Sequence, residues 1–350
     1  NVQRHGWLVL YLFGASPAFC ASFFAERKPL AAKFAELDPQ TLYKPAATSL
    51  RMSDIGYRND NQAGLNISFD TLDEYVASLV QAINTEAPAY QAIGVNVDGE
   101  YRQLSANILQ IANEYYSPVR PKQIARSCES PTLALKRRGV RYIELRSLDL
   151  NPACPLGLEL RHMRFLELFL LCCLLRESPP LSALEKSEAK DNALAVASRG
   201  REPGLRLSRQ GQSLRLDEWA MELAEDLLAL AAVFDAGTPA HDYRDCVAPL
   251  LEAIANPGST PSAQILAALR DNRESFQAHT LKLSRQHAAG FRARPLDGAQ
   301  ADEFSRHAEA SQAAQRQTEA DDSLSFDAFL KHYFTECSGS AAELAAKPAA

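Results

Sequence analysis

No CxxC pair occurs among the seven cysteines of this 350-residue chain. The spacing of Cys20, Cys128, Cys154, Cys172, Cys173, Cys246 and Cys337 suits neither a disulfide framework nor a thiolate zinc site. Reduced thiols and a cytoplasmic setting are therefore expected. Charge of one sign is lacking too: 37 Lys and Arg against 43 Asp and Glu leave a net charge of −6. No basic field is present to hold nucleic acid or anionic lipid. The sequence has no GxxxxGK[ST] phosphate loop, no GxGxxG, no HExxH and no GxSxG. Its seven histidines are scattered, none paired at metal-ligand spacing, and no internal repeat is found.

Long apolar runs are scarce. Residues 6–24 (GWLVLYLFGASPAFCASFF) approach the ~20 residues that span a bilayer, but Gly14, Ser16, Pro17 and Ser22 divide them. A buried helix followed by a turn is expected, rather than a membrane span or a secretory signal. The chain enters this stretch directly from Asn1-Val2-Gln3-Arg4-His5, without a methionine, and reads as cut inside a structural element. Residues 165–175 (FLELFLLCCLL) are too short to cross a bilayer and predict a core helix. A thiolate at Cys172 or Cys173 would be disfavoured there, which argues against a nucleophilic role.

Hydrophobic content of 46% and 23% charged residues match a soluble globular protein with an ample core. Thr71 and Glu74 form a capping-box pattern ahead of an apolar stripe, Leu72, Tyr75, Val76, Leu79, Val80 and Ile83. A second stripe runs from Leu216 to Phe234 and closes at Gly237. Thr260-Pro261 opens a further helix through Leu269, and residues 274–289 and 300–320 also read as helical. Strands are expected at residues 108–116 and 140–148, and in a hairpin over 95–104 centred on Asp98-Gly99. Residues 177–208 read as a polar surface excursion, and 336–350 as a disordered tail. The fold class is α+β, with strands in the first half and a mostly α-helical second half.

Three clusters carry candidate chemistry. In residues 48–57 (TSLRMSDIGY), Arg51 could clamp a carboxylate with Tyr57 adding a hydroxyl, or Arg51 could simply pair with Asp54. In residues 113–122 (NEYYSPVRPK), two cations leave a strand end and could meet phosphate or only solvent. In residues 141–149 (RYIELRSLD), a period of two puts Glu144 and Arg146 on one strand face, opposite Ile143 and Leu145. A carboxylate beside a guanidinium suits a magnesium-nucleotide site, and equally a cross-strand ion pair.

The strings YLFGASPAFCASF (residues 11–23), ATSLRMSDIGY (47–57), NEYYSPVRPK (113–122) and YIELRSLDLNP (142–152) resemble the proteobacterial glutamate–cysteine ligases. The likeness is dense from about residue 4 to 169 and continues, through GREPGL at 200–205, almost to the C-terminus. It implies a glutamine-synthetase-like antiparallel sheet, here partial, surrounded by helices, with residues 1–335 forming the C-terminal portion of one catalytic domain. It also implies ATP-dependent ligation of the γ-carboxylate of L-glutamate to L-cysteine through a γ-glutamyl phosphate, the first step of glutathione biosynthesis. By motif, Glu144 would bind Mg2+ (Mn2+ as its substitute) and Arg146 would be catalytic at the transferred phosphate. Arg51, Tyr57 and Tyr116 would surround the cysteine, with Arg51 at its carboxylate. Neither nucleic acid nor membrane is an expected partner, and glutathione is an expected feedback inhibitor.

One departure is Ala112, where relatives tend to carry an acidic residue. A larger one is the long N-terminal portion of such ligases, which carries an ERE-type motif and further acidic metal ligands and has no counterpart in this sequence. An incomplete, inactive chain is the resulting expectation. A related carboxylate–amine ligase with another acceptor, or a non-catalytic cysteine- or partner-binding fragment, are the alternatives.

Overall fold

The computed structural model describes residues 1–337 except 27, 58, 59, 63 and 238, so the tail expected at 336–350 lies almost wholly outside the described residues. The chain divides into two compact units, each assembled from two stretches. The first comprises Asn1–Arg58 and Leu145–Gln286; the second comprises Asn59–Glu144 and His287–Ala350.

Helix Trp7–Phe13 forms the centre of the first unit, with all seven of its residues buried. Around it lie helices Leu160–Leu175, Ala183–Arg199, Leu216–Phe234 and Asp242–Ala255, whose apolar stripes share one core. Trp7, Leu8, Leu168 and Leu227 are at most 1% exposed, each worth roughly 2 kcal/mol relative to leaving it in water. Tyr11 donates its hydroxyl to Ala253 O at 2.5 Å, and burial pushes its phenol up to about 12.

The apolar opening ends as helix and turn. A side chain at Gly14 would meet the Leu10 carbonyl and the Thr48 backbone at 2.6 Å, so only glycine lets the chain cross there. Beyond the crossing, Ser16 bridges Ser49, and strands Ala18–Cys20, Thr41–Tyr43 and Ala35–Asp38 form an antiparallel sheet in that spatial order. A satellite core joins Ala15, Ala18 and Tyr43 to Ile265, Leu266 and Leu269 of helix Pro261–Asn272.

In the second unit, helix Leu72–Ile83 starts as its sequence predicts. Thr71 accepts from Glu74 N, although the Glu74 carboxylate turns to Ser68 Oγ at 2.7 Å. Its stripe packs with Leu109, Leu133 and Leu135. Strands Asn96–Val97 and Glu100–Tyr101 form the expected hairpin, with positive φ at both Asp98 and Gly99. Helix Gly298–Asp321 is exposed throughout, and among the described residues no helix is long and apolar enough to cross a membrane.

Five expectations need correction. Residues 108–116 are not a strand: a 3-10 turn covers Ala112–Glu114, Leu109 N bonds Ala82 O, and side chains take Gln110 N and Tyr116 N. Acceptors that would complete a ladder are thereby replaced locally. The strand over 140–148 shrinks to Tyr142–Leu145, which pairs with Val119–Lys122. Residues 177–208 are no surface excursion, because helix Ala183–Arg199 buries Val196 and Ala197 completely. Its Ser182 and Glu185 form a true capping box. The hairpin Arg206–Arg209 with Gln212–Arg215 also puts strands in the second half, its turn held by buried Glu188, which accepts from Gln210 N and Gly211 N. Lastly, Cys20, Cys154, Cys172, Cys173 and Cys246 are free, but Cys128 is disulfide-bonded. Such pairing depends on closeness in space, which sequence spacing does not report.

Candidate active site

Three of the five predicted residues meet in the first unit. Arg51 lies in the 3-10 turn Leu50–Met52 and Tyr57 follows five residues after that turn. The intervening loop is very tight, with Tyr57 N bonded to Arg51 O at 2.5 Å and Gly56 N to Ser53 O at 3.3 Å. A Cβ on Gly56 would lie 2.0 Å from Arg51 O, so glycine is required for this closure. Arg146 follows the end of strand Tyr142–Leu145. Its Nη1 donates to Tyr57 Oη at 2.6 Å, its guanidinium lies 5.8 Å from the Tyr57 ring centre, and its carbonyl accepts from Arg51 Nη2 at 3.1 Å. Arg51, Arg146 and Tyr57 thus close a ring of hydrogen bonds built from two separate motif strings.

The ring is fastened from behind by a residue the sequence reading did not single out. Asp149, 5% exposed, accepts from Arg51 Nε through Oδ1 at 2.7 Å. Its Oδ2 accepts from Ser16 Oγ at 2.7 Å and from Ala15 N at 2.9 Å. Arg51 Nη2 also donates to Leu148 O at 2.8 Å, which explains why the extended segment stops pairing after Leu145. Asp54, the sequence-suggested partner of Arg51, is exposed and plays no part in this arrangement. The signal for Asp149 was in plain sight as an acidic residue inside a motif string, but nothing local marks its partners 98 and 133 positions away.

Glu144 and Tyr116 belong to the second unit. There the Glu144 carboxylate lies 3.5 Å from Lys122 Nζ on the neighbouring strand, so the cross-strand ion pair is realised. Glu144 does not share a strand face with Arg146, since the strand ends at Leu145. Tyr116 is 42% exposed, and its backbone N–H is held by Gln62 Oε1 at 2.9 Å. Arg120, in the same motif string, is 4% exposed and donates to the carbonyls of Ala112 and Asn113. It braces its own loop and is unavailable to a phosphate. Among the described residues no group of three His, Cys, Asp or Glu side chains could hold a metal ion. One carboxylate beside an ammonium does not fit a magnesium site by itself.

The buried cysteines are no nucleophiles: burial pushes the Cys173 thiol up to about 12 and Cys246 to about 11. The first unit also contains a cavity of about 390 Å3, lined by residues including Arg4, His5, Glu188, Asn192, Arg209 and Trp219, none of them predicted site residues.

The family model described as glutamate–cysteine ligase matches residues 1–196. The glutamate–cysteine ligase of Pseudomonas paraeruginosa is 46% identical over 333 residues, covering 95% of this chain and 62% of that protein. The one from Azotobacter vinelandii is 46% identical over 339 residues, covering 97% and 63% respectively. Among solved structures, the glutamate–cysteine ligase of Francisella tularensis in complex with AMP superposes with a TM-score of 0.88 at 34% identity, over 95% of this chain and 65% of that one. The chain therefore spans somewhat under two thirds of the length of the relatives it matches.

Proposed function

The chain belongs to the glutamate–cysteine ligase family, and from that premise we propose that it is part of an enzyme joining L-glutamate to L-cysteine at the expense of ATP. In this reading ATP phosphorylates the γ-carboxylate of glutamate, and the cysteine amine displaces phosphate from the γ-glutamyl phosphate. The family match supports the reaction class. What carries the proposal at the level of residues is the closed ring of Arg51, Arg146 and Tyr57, in which two motif strings present two guanidinium groups and a phenol together.

Arg146 would meet the transferred phosphate, where a fixed cation stabilises charge that develops during transfer. Arg51 would take the carboxylate of cysteine, with Tyr57 and Tyr116 around the same substrate. The protein's work is then alignment and charge neutralisation. Magnesium, when bound, would shield the phosphates of ATP, and Glu144 is the one residue assigned to it. Glu144 is paired with Lys122, and among the described residues no group of three His, Cys, Asp or Glu could hold a metal ion, so further ligands would be needed to hold it. Glutathione, which contains the γ-glutamylcysteine product, is proposed as a feedback inhibitor, and the cytoplasm as the compartment.

The test is ADP release with ATP, Mg2+, glutamate and cysteine. It is run on this chain and on the chain extended by the part of the Pseudomonas paraeruginosa relative that it does not match. Turnover that requires both amino acids supports the proposal. A folded, extended protein that releases no ADP sinks it, and turnover with other amines but not with cysteine or 2-aminobutyrate points to a ligase with a different acceptor.

A further inference from the structure

Arg51 uses its guanidinium unevenly. Nε donates to Asp149, and the two hydrogens of Nη2 are spent on the carbonyls of Arg146 and Leu148. Among the described residues nothing accepts from Nη1, and the side chain stays 37% exposed while that of Asp149 is 4% exposed. Arg51 is therefore gripped along one edge and open along the other. The grip is itself anchored. Asp149 Oδ2 is tied to Ser16 Oγ and Ala15 N, and the Ser16 backbone is pinned by Leu50 N at 2.7 Å and Thr48 O at 3.3 Å. A carboxylate so enclosed, with three donors upon it, is a stiff mount.

We propose that Asp149 is a positioning residue that fixes Arg51 with its Nη1 edge outward and thereby makes the site select an acceptor bearing a carboxylate. The inference rests on the reading that Arg51 meets the carboxylate of cysteine. An unmounted arginine retains its rotamer freedom and must be immobilised by the ligand itself, at a cost in affinity. Structural support and substrate selection are separable, because Oδ2 serves Ser16 and Ala15 while Oδ1 serves Arg51.

The experiment compares binding of cysteine with that of cysteamine, the same thiol and amine without the carboxylate, by calorimetry on the full chain. Asp149→Asn keeps an oxygen for Ser16 and Ala15 but turns an amide N–H toward Arg51 Nε. It should weaken cysteine about tenfold and leave cysteamine unchanged, collapsing the preference. If Asp149→Asn fails to fold, Asp149→Glu, which keeps the charge but displaces Arg51, must lower the same ratio. A folded Asp149 variant with the wild-type ratio and a lowered Tm overturns the proposal, leaving Asp149 a brace only. Wild-type protein with no preference for cysteine overturns instead the placement of Arg51 at the carboxylate, and the proposal falls with it.

Discussion

Gly56→Ala perturbs the candidate site through a single methyl group. Its Cβ would lie 2.0 Å from the Arg51 carbonyl oxygen, 2.5 Å from its carbon and 2.7 Å from its Cα, all backbone atoms that no rotamer change can move. Reaching the 3.4 Å of an ordinary contact requires the loop over residues 51–57 to open by about 1.4 Å. The Tyr57 N to Arg51 O bond, now 2.5 Å, cannot survive that opening and remain within hydrogen-bond range. One lost hydrogen bond costs about 1 kcal/mol, and residual backbone strain adds roughly 1–2 kcal/mol. The expected destabilisation is thus about 2–3 kcal/mol, or a drop of roughly 1 M in the urea midpoint at a slope of about 2–3 kcal/mol/M. Tyr57 would leave Arg146 as well, so cysteine affinity should fall together with stability. The same substitution at Gly290 in helix Phe276–Arg292 is the control: nothing lies within 4 Å of its Cβ, and alanine there should add about 0.5–1 kcal/mol. A Gly56→Ala protein with the wild-type urea midpoint would refute the reasoning, since the loop would then have room that the geometry denies it.

Acid should expose a second dependence. Arg138 grips Glu129 with both guanidinium ends and holds its carboxyl down at about 2, below the ordinary 4.5. A depressed carboxylate stabilises above its unfolded pKa, and that contribution is lost as pH falls from about 5 towards 2. Arg138 is 27% exposed and water screens the pair, so Glu129→Gln should cost about 1–2 kcal/mol at pH 7 and nothing near pH 2. A constant difference between the two proteins across that range would dismiss the pair as the cause. Among the thiols, Cys20 is half-buried whereas Cys172, Cys173 and Cys246 are buried, the latter two with thiols pushed up to about 12 and 11. Native alkylation followed by mass spectrometry should label Cys20 first; earlier labelling of Cys173 would mean that its helix opens readily.

The sequence by itself determined the helices whose signals are local. Thr71 with its stripe, the Leu216–Phe234 helix, Pro261 at a first helical position and the Asp98-Gly99 turn all declare themselves within one or two turns of chain. It also determined the family, since the resemblance lies in contiguous motif strings, and it singled out Arg51, Tyr57 and Arg146, which the fold brings into contact. Tertiary structure alone decided what those residues do to each other. Burial of Val196 and Ala197 turned an apparently polar excursion into a core helix, because even two small apolar residues suffice when a buried helix runs alongside. Side-chain acceptors and the Arg51 guanidinium captured backbone groups that periodicity had assigned to strands over 108–116 and 146–148. Asp149 became the mount of the site only because folding brings it against Ser16 and Arg51. Local propensity acts over neighbouring residues and can be read along the chain, whereas a buried carboxylate must find its donors wherever the fold supplies them.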